Sequence, residues 1–201
     1  MDLLALLATL ADGETHSGER LAADAGMTRA AVWKSIKRLD QWGLRVEAVS
    51  GRGYRLEQPI EWLEESLLRR QIDSDERFTL DGLDVFTEID STNRWLAHNP
   101  PARPGVLRVC VAEWQSAGRG RRERRWVSPL GSGICLSAAW VYEGVPRDIS
   151  ALSLAAGVAT AHVIRRVCDV GPQLKGPYDI VWNSRKLGGL LVESSIESQG
   201  R

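Results

Sequence analysis

The sequence predicts an α+β protein: a winged helix-turn-helix followed by a mixed-sheet domain. Three observations predict it. Residues 1–58 hold three apolar helical repeats broken at Gly13 and Gly26. A strand pair with a glycine-rich, basic tip comes next. From Leu80 onward, short apolar runs of strand length mix with two helical stretches without strict alternation, the pattern of a sheet with helices on one face.

Leu3, Leu4, Leu7 and Leu10 form one helical face that ends near Gly13. Ser17 is placed to cap a second helix carrying Leu21, Ala22 and Ala25, and Gly26 supplies a turn. Thr28 then caps a third helix with Ala31, Val32, Ile36 and Leu39 on one side and Arg29, Lys34, Lys37 and Arg38 on the other. Helix, helix, turn and basic helix is the layout that places a recognition helix in a DNA major groove. Leu44–Val49 and Tyr54–Leu56 flank Ser50-Gly51-Arg52-Gly53, a wing whose Arg52 reaches toward phosphate. The candidate DNA contacts are Thr28, Arg29, Lys34, Lys37 and Arg52. A small helical domain used for packing or dimerisation is the alternative.

Pro59 marks a boundary, so residues 59–78 read as a linker: a helix over Glu61–Arg70, with Leu63, Leu67 and Leu68 as its apolar positions, and a polar loop. Residues 79–201 read as the second domain. Strands are expected at Val85–Ile89, Val106–Ala112, Ile134–Tyr142 and Lys186–Glu193, the last with Leu187, Leu190, Leu191 and Val192. Ser91 caps a helix through His98. A longer helix runs from Ser150 through Val167, burying Leu152, Ala155, Ala156, Ala159, Val163 and Val167.

The chain has 201 residues, 43% hydrophobic and 26% charged, which suits one or two globular domains. Its formal net charge is zero, so no global field attracts nucleic acid or membrane and any basic site is local. No apolar run approaches a membrane span, and Leu3–Leu10 lacks the basic leader of a signal peptide. Cys110, Cys135 and Cys168 form no C-x-x-C pair. Their apolar neighbours point to buried reduced thiols and a cytoplasmic protein.

Gln115-Ser116-Ala117-Gly118-Arg119-Gly120-Arg121-Arg122-Glu123-Arg124-Arg125-Trp126 concentrates five arginines against one acid. Gly118 and Gly120 favour a mobile loop over a helix. Guanidinium forks and bare backbone N–H groups suit an anionic guest, phosphate above all. A solvated loop and a nucleic-acid patch are the other readings. There is no P-loop, and the glycine pattern is not a dinucleotide fingerprint. His16, His98 and His162 read as caps, surface or core.

Four segments carry a resemblance over nearly the whole chain: Ile89-Asp90-Ser91-Thr92-Asn93, Glu113 to Arg122, Trp126-Val127-Ser128-Pro129, and Arg185-Lys186-Leu187-Gly188-Gly189-Leu190-Leu191-Val192-Glu193. Together they resemble the bifunctional biotin–protein ligases that also repress biotin synthesis genes. The resemblance implies a class II synthetase-like catalytic domain. It also implies a two-step reaction in which biotin and ATP give biotinyl-AMP, and biotin then passes to a lysine of the biotin carboxyl-carrier protein of acetyl-CoA carboxylase. By the same resemblance, Ser91, Thr92, Asn93, Gln115, Arg119, Gly120, Arg121 and Lys186 bind biotin. Arg119, Arg121, Arg122, Arg124, Lys175 and Asp179 face ATP and the adenylate, and Lys186, Arg121 and Asp179 are catalytic. Trp126 packs beside the ligand or in the core. Mg²⁺ is expected with ATP, no metal cage is expected in the chain, and a ligand-linked homodimer would grip operator DNA.

Two departures stand out. The family's K-W-P-N-D segment reads here Lys175-Gly176-Pro177-Tyr178-Asp179, which predicts impaired or rearranged ATP handling. The family's sheet also continues past the Lys186 strand into a further small domain, so the catalytic domain is expected to be incomplete at its C-terminus. A regulator that senses biotin or biotinyl-AMP without ligating is the second reading.

Overall fold

The computed structural model describes residues 3–73, 77–144, 146–176 and 179–195. By internal contacts the chain divides into two compact units. The first joins Met1–Gly118 with Val127–Val141, and the second joins Arg119–Trp126 with Tyr142–Arg201.

The first unit opens with α1 (Leu3–Leu10), α2 (Gly18–Asp24) and α3 (Arg29–Arg38). The caps form as the residue types dictate: Ser17 Oγ accepts from Arg20 N at 3.1 Å, and Thr28 Oγ1 accepts from Ala31 N at 3.2 Å. The buried face of α1 is Leu3, Leu6, Leu7 and Leu10; Leu4, expected inside, is exposed. Leu6, Leu7, Leu10, Leu21, Val32, Leu39 and Leu56 close one core. Each such side chain contributes about 1.5–3 kcal/mol by leaving water.

The wing pairs β1 (Val46–Val49) with β2 (Gly53–Leu56) antiparallel. Tyr54 also exchanges backbone bonds with His16, N to O at 2.9 Å in both directions. That bridge brings the backbone of His16 against Gly53, whose φ of +133° and lack of a Cβ are both required there.

The linker helix α4 spans Glu65–Asp73, starting later and ending later than expected, with Leu63 ahead of it. β3 (Thr79–Ile89) runs parallel to β4 (Val106–Gln115), and β5 (Cys135–Trp140) pairs antiparallel with β4. The mixed sheet carries helices on both faces rather than one. Leu68 and Ile72 of α4 pack with Leu83, Val109 and Val111. On the alternate face, Phe86 meets Trp95 of α5 (Thr92–His98) at 4.9 Å between ring centroids.

The second unit holds α6 (Leu152–Cys168) and an antiparallel sheet of β6 (Gln173–Lys175), β7 (Asp179–Trp182) and β8 (Arg185–Gly189). On α6, Ser153, Gly157 and Ala161 are buried, whereas Leu152, Ala155, Ala159, Val163 and Val167, expected inside, are exposed. β6 and β7 were not foreseen from sequence. The signal was Ile180-Val181-Trp182 before Asn183-Ser184, which turn with φ of 47° and 61° as a two-residue hairpin needs. β8 stops at Gly189, so Leu190, Leu191 and Val192 are not strand. Cys110 and Cys135 are buried, and burial pushes the Cys110 thiol up to about 12; Cys168 is exposed, against expectation. No helix among the described residues is long and apolar enough to cross a membrane.

Candidate functional site

Thr28, which caps α3, and Arg29, Lys34 and Lys37 on α3 are all exposed, and Arg52 is exposed at the tip of the wing. Arg29 Nη1 lies 3.5 Å from Glu19 Oε1, a solvated pair that leaves the guanidinium available to phosphate. The sequence reading missed Trp33, which stands 49% exposed in this basic flank with Lys37 Nζ 3.7 Å from its ring centroid. The available signal was a large aromatic on the charged side of an amphipathic helix.

Next in the same unit, the carboxyl ends of two parallel strands meet where Ile89 pairs with Gln115. Ligands of open α/β sheets favour that end of the strands. Ser116 N and Ala117 N bond to Ile89 O and Asp90 O, both at 2.9 Å, and hold the chain beside the start of α5. Ser91 caps α5 by accepting from Arg94 N at 3.4 Å. Asp90 is held below the usual carboxylate range: burial acts to raise it, but the Ser91 N–H and the Arg94 guanidinium outweigh burial.

Thr92 donates from N and from Oγ1 to Gln115 Oε1, at 2.8 and 3.0 Å. Thr92 Oγ1 also lies 2.7 Å from Ser137 Oγ, which in turn bonds to the Asn93 side-chain amide. Ser91, Thr92 and Ser137 are buried. The structure thus brings Ser91, Thr92, Asn93 and Gln115 together and adds Ser137. A lone hydroxyl at an inward position of the apolar strand Leu136-Ser137-Ala138 was its sequence signal.

In the second unit the arginine segment folds into a hydrogen-bonded turn, not a helix of appreciable length. Arg119 and Arg125 form an antiparallel bridge, Gly120 N bonds to Arg124 O at 2.7 Å, and Arg124 N bonds to Arg121 O at 3.3 Å. Arg122 and Glu123 both take φ of 57°, a strained backbone for non-glycine residues of the kind that gathers at ligand clamps. Arg121, Arg122, Arg124 and Arg125 are exposed. Arg119 Nη2 reaches Glu193 Oε1 at 3.4 Å, while its buried Nε has no hydrogen-bond partner among the described residues.

Lys186 on β8 donates to Asp179 Oδ1 on β7 at 2.7 Å, and its Nζ stands 5.2 Å from the Trp126 ring centroid. Lys175 pairs with Asp179 across β6 and β7 and is exposed. Lys175, Asp179, Lys186, Trp126 and the arginine turn therefore belong to one unit. Gly176 is exposed, and a Cβ there would meet nothing within 4 Å. Pro177 and Tyr178 lie outside the described residues. Among the described residues no group of three or more His, Cys, Asp or Glu is placed to hold a metal ion. His16 is buried beside Asp12, His98 Nδ1 lies 2.8 Å from Arg94 O, and His162 is exposed.

A model of the biotin/lipoate A/B protein ligase family matches residues 85–200, and a helix-turn-helix domain model matches residues 2–55. The bifunctional ligase/repressor BirA of Salmonella typhimurium is 43% identical over 193 residues, covering 94% of this chain and 57% of that protein. That of Bacillus subtilis is 34% identical over 197 residues, covering 98% and 59%. The chain therefore spans under two thirds of the length of these relatives. The crystal structure of a biotin protein ligase from Leishmania major in complex with biotin aligns with a TM-score of 0.51 at 26% identity, covering 57% of this chain and 52% of that one.

Proposed function

This chain belongs to the biotin/lipoate A/B protein ligase family, and from that premise we propose that it activates biotin with ATP and passes it to a carrier lysine, while its winged helix-turn-helix represses transcription from operator DNA. In the first step a biotin carboxylate oxygen bonds to the α-phosphorus of ATP and pyrophosphate leaves. In the second, the amine of a lysine on the biotin carboxyl-carrier protein of a carboxylase bonds to the biotinyl carbonyl. AMP departs with the bonding pair, and the amine loses a proton.

The observation that carries this reading is Lys186. Asp179 aims its ammonium, Trp126 flanks it, and the five-arginine turn belongs to the same unit. A pre-aimed cation beside the biotin carboxyl stabilises the charge that moves during adenylation at little cost in reorganisation. Arg119, Arg121, Arg122, Arg124 and Lys175 would offset phosphate charge. Ser91, Thr92, Asn93 and Gln115 supply the hydroxyl and amide set that a ureido ring requires, since it donates from two nitrogens and accepts at one oxygen. Mg²⁺ would enter on the phosphates of ATP, where it screens their charge. Biotinyl-AMP binding would favour a homodimer whose paired α3 helices meet a two-fold operator. A cytoplasmic location fits this chemistry.

Incubation with biotin, ATP and Mg²⁺ should give biotinyl-AMP by mass spectrometry, followed by transfer of labelled biotin to a carrier domain. Biotin binding without either product would establish the second reading, a regulator that senses biotin but does not ligate. Gly176, standing where the family has tryptophan, is the observation that favours it. No binding of biotin would refute both.

A further inference from the structure

Around Ser137 the polar contacts outnumber the hydroxyl hydrogens that can fill them. Four side chains form a row: Gln115 Oε1, Thr92 Oγ1, Ser137 Oγ and the Asn93 amide. The row has three contacts. Thr92 and Ser137 bring one hydroxyl hydrogen each, so two hydrogens are available unless an amide supplies a third.

The backbone decides which amide does. Thr92 N–H is a donor without alternative, and it points at Gln115 Oε1 at 2.8 Å. Gln115 must therefore present its oxygen to Thr92. The Thr92 hydroxyl, 3.0 Å from that same oxygen, then spends its hydrogen there. What remains for Thr92 Oγ1 toward Ser137 is to accept, so Ser137 spends its hydrogen on Thr92. Nothing is left on Ser137 to donate to Asn93. With the Asn93 oxygen toward Ser137, as the structure sets it, two lone pairs would then meet in a place where Thr92 and Ser137 are buried, which costs far more than in water. An amide turned by 180° about its last bond has the same shape and offers hydrogens instead.

We infer that Asn93 faces Ser137 with its NH₂ group, and that Ser137 is a positioning residue closing a one-way chain from Asn93 Nδ2 through Ser137 Oγ and Thr92 Oγ1 to Gln115 Oε1. The chain fixes the rotation of both amides and of the Thr92 hydroxyl before any ligand arrives. Its consequence for a ureido ligand rests on the biotin reading above, because those amides are the groups proposed to meet that ring. Ser137 acts on a ligand only through Thr92 and Asn93. Directional polar chains of this kind lose more than one bond when cut.

The test uses the 201-residue chain and three variants, Ser137→Ala, Ser137→Thr and Asn93→Asp. In ¹⁵N spectra of the ligand-free wild type, one Asn93 side-chain proton should be shifted downfield and slow to exchange. It should lose both properties in Ser137→Ala and regain them in Ser137→Thr. By calorimetry, Ser137→Ala should weaken biotin binding roughly 10-fold, and Ser137→Thr should restore most of it. Asn93→Asp is nearly the same shape but has no hydrogen to give, so it should weaken binding at least as much and lower the melting temperature. Asn93→Asp with wild-type biotin affinity and melting temperature would overturn the inference, because Asn93 would then be an acceptor from Ser137. Fast-exchanging, unshifted Asn93 protons in the wild type would overturn it as well. Should the wild type bind no biotin, the proposed function fails, and the Asn93 protons still decide the direction of the chain.

Discussion

Trp42 meets Trp114 edge to face, with ring centroids 6.3 Å apart and planes at 62°. Trp42 ends the 3₁₀ turn after α3, and Trp114 directly precedes Gln115 on β4. The seam has three further stitches: Leu130 N bonds to Trp42 O at 2.8 Å, Pro129 fills the space a Gly43 side chain would take, and Leu63 N donates to the buried Glu113 Oε1 at 2.5 Å. Helix α3 and the strand carrying Gln115 therefore share one packed core. Trp42→Ala should cost about 3–5 kcal/mol in urea unfolding. A double-mutant cycle with Trp114→Ala should give a coupling of about 0.5–1.5 kcal/mol. Additive costs would show that the two rings do not cooperate.

Gly53 should tolerate no side chain. Its φ of +133° and the His16 carbonyl both exclude a Cβ. Gly53→Ala should destabilise the wing by about 2 kcal/mol or more, break the His16–Tyr54 bridge, and weaken operator binding in gel shifts. Gly51→Ala, at φ +69° with nothing within 4 Å of its Cβ, should bear only the milder backbone cost.

Burial pushes the Glu113 carboxyl above the ordinary glutamate range, and the Leu63 N–H offsets only part of that rise. The folded state then holds this proton more tightly than the unfolded chain. Glu113's contribution to stability is whole below the ordinary range and is lost as pH rises through the raised value. Glu113→Gln keeps an acceptor for Leu63 N and should remove that loss, flattening the stability curve on its mildly acidic side. A mutant curve parallel to the wild type across that window would show that Glu113 does not titrate there. The loss on further acidification belongs to Asp12, Asp84 and Asp90, whose carboxyls are held low.

Lys186→Ala should reduce biotinyl-AMP formation by about 10²–10³-fold, the usual scale for removing one pre-aimed charge. Asp179→Asn should reduce it less, because the ammonium remains but loses its guide. Arg119→Ala and Arg121→Ala should lower biotin capture and let the adenylate escape, read as free biotinyl-AMP in the filtrate. Retention unchanged in folded Arg119→Ala and Arg121→Ala protein would remove the arginine turn from the site.

Gly176→Trp combined with Tyr178→Asn should raise the rate of adenylate formation. The open space around the Gly176 Cβ admits the first change without a clash there. Equal rates before and after would show that this segment does not limit ATP handling.

Much of this was legible in the sequence. Caps, glycine turns and amphipathic spacing are local, so Ser17, Thr28, Gly26 and the wing fell where residue chemistry puts them. The motifs also singled out Ser91, Thr92, Asn93 and Gln115, which the structure brings together, and proposed them with Lys186 for a ligand. What was misread depended on partners distant along the chain. Leu4 and Leu6 are equally apolar, and only the packing of α2, α3 and β2 against α1 chose Leu6 for the core. The apolar side of α6 looked like a buried face, but its contacts fall on Ser153, Gly157 and Ala161.

By itself the sequence determined the order of elements apart from β6 and β7, the charged flank of α3 and the types of group available to a ligand, because these follow from residue identity and short-range geometry. Only the tertiary structure decided that Ser137 joins Thr92 and Asn93, that Asp179 pairs with Lys186, and that Trp42 rests on Trp114. Each of these pairs is distant in sequence or set by strand register, and long-range packing or register, not local propensity, selects such contacts.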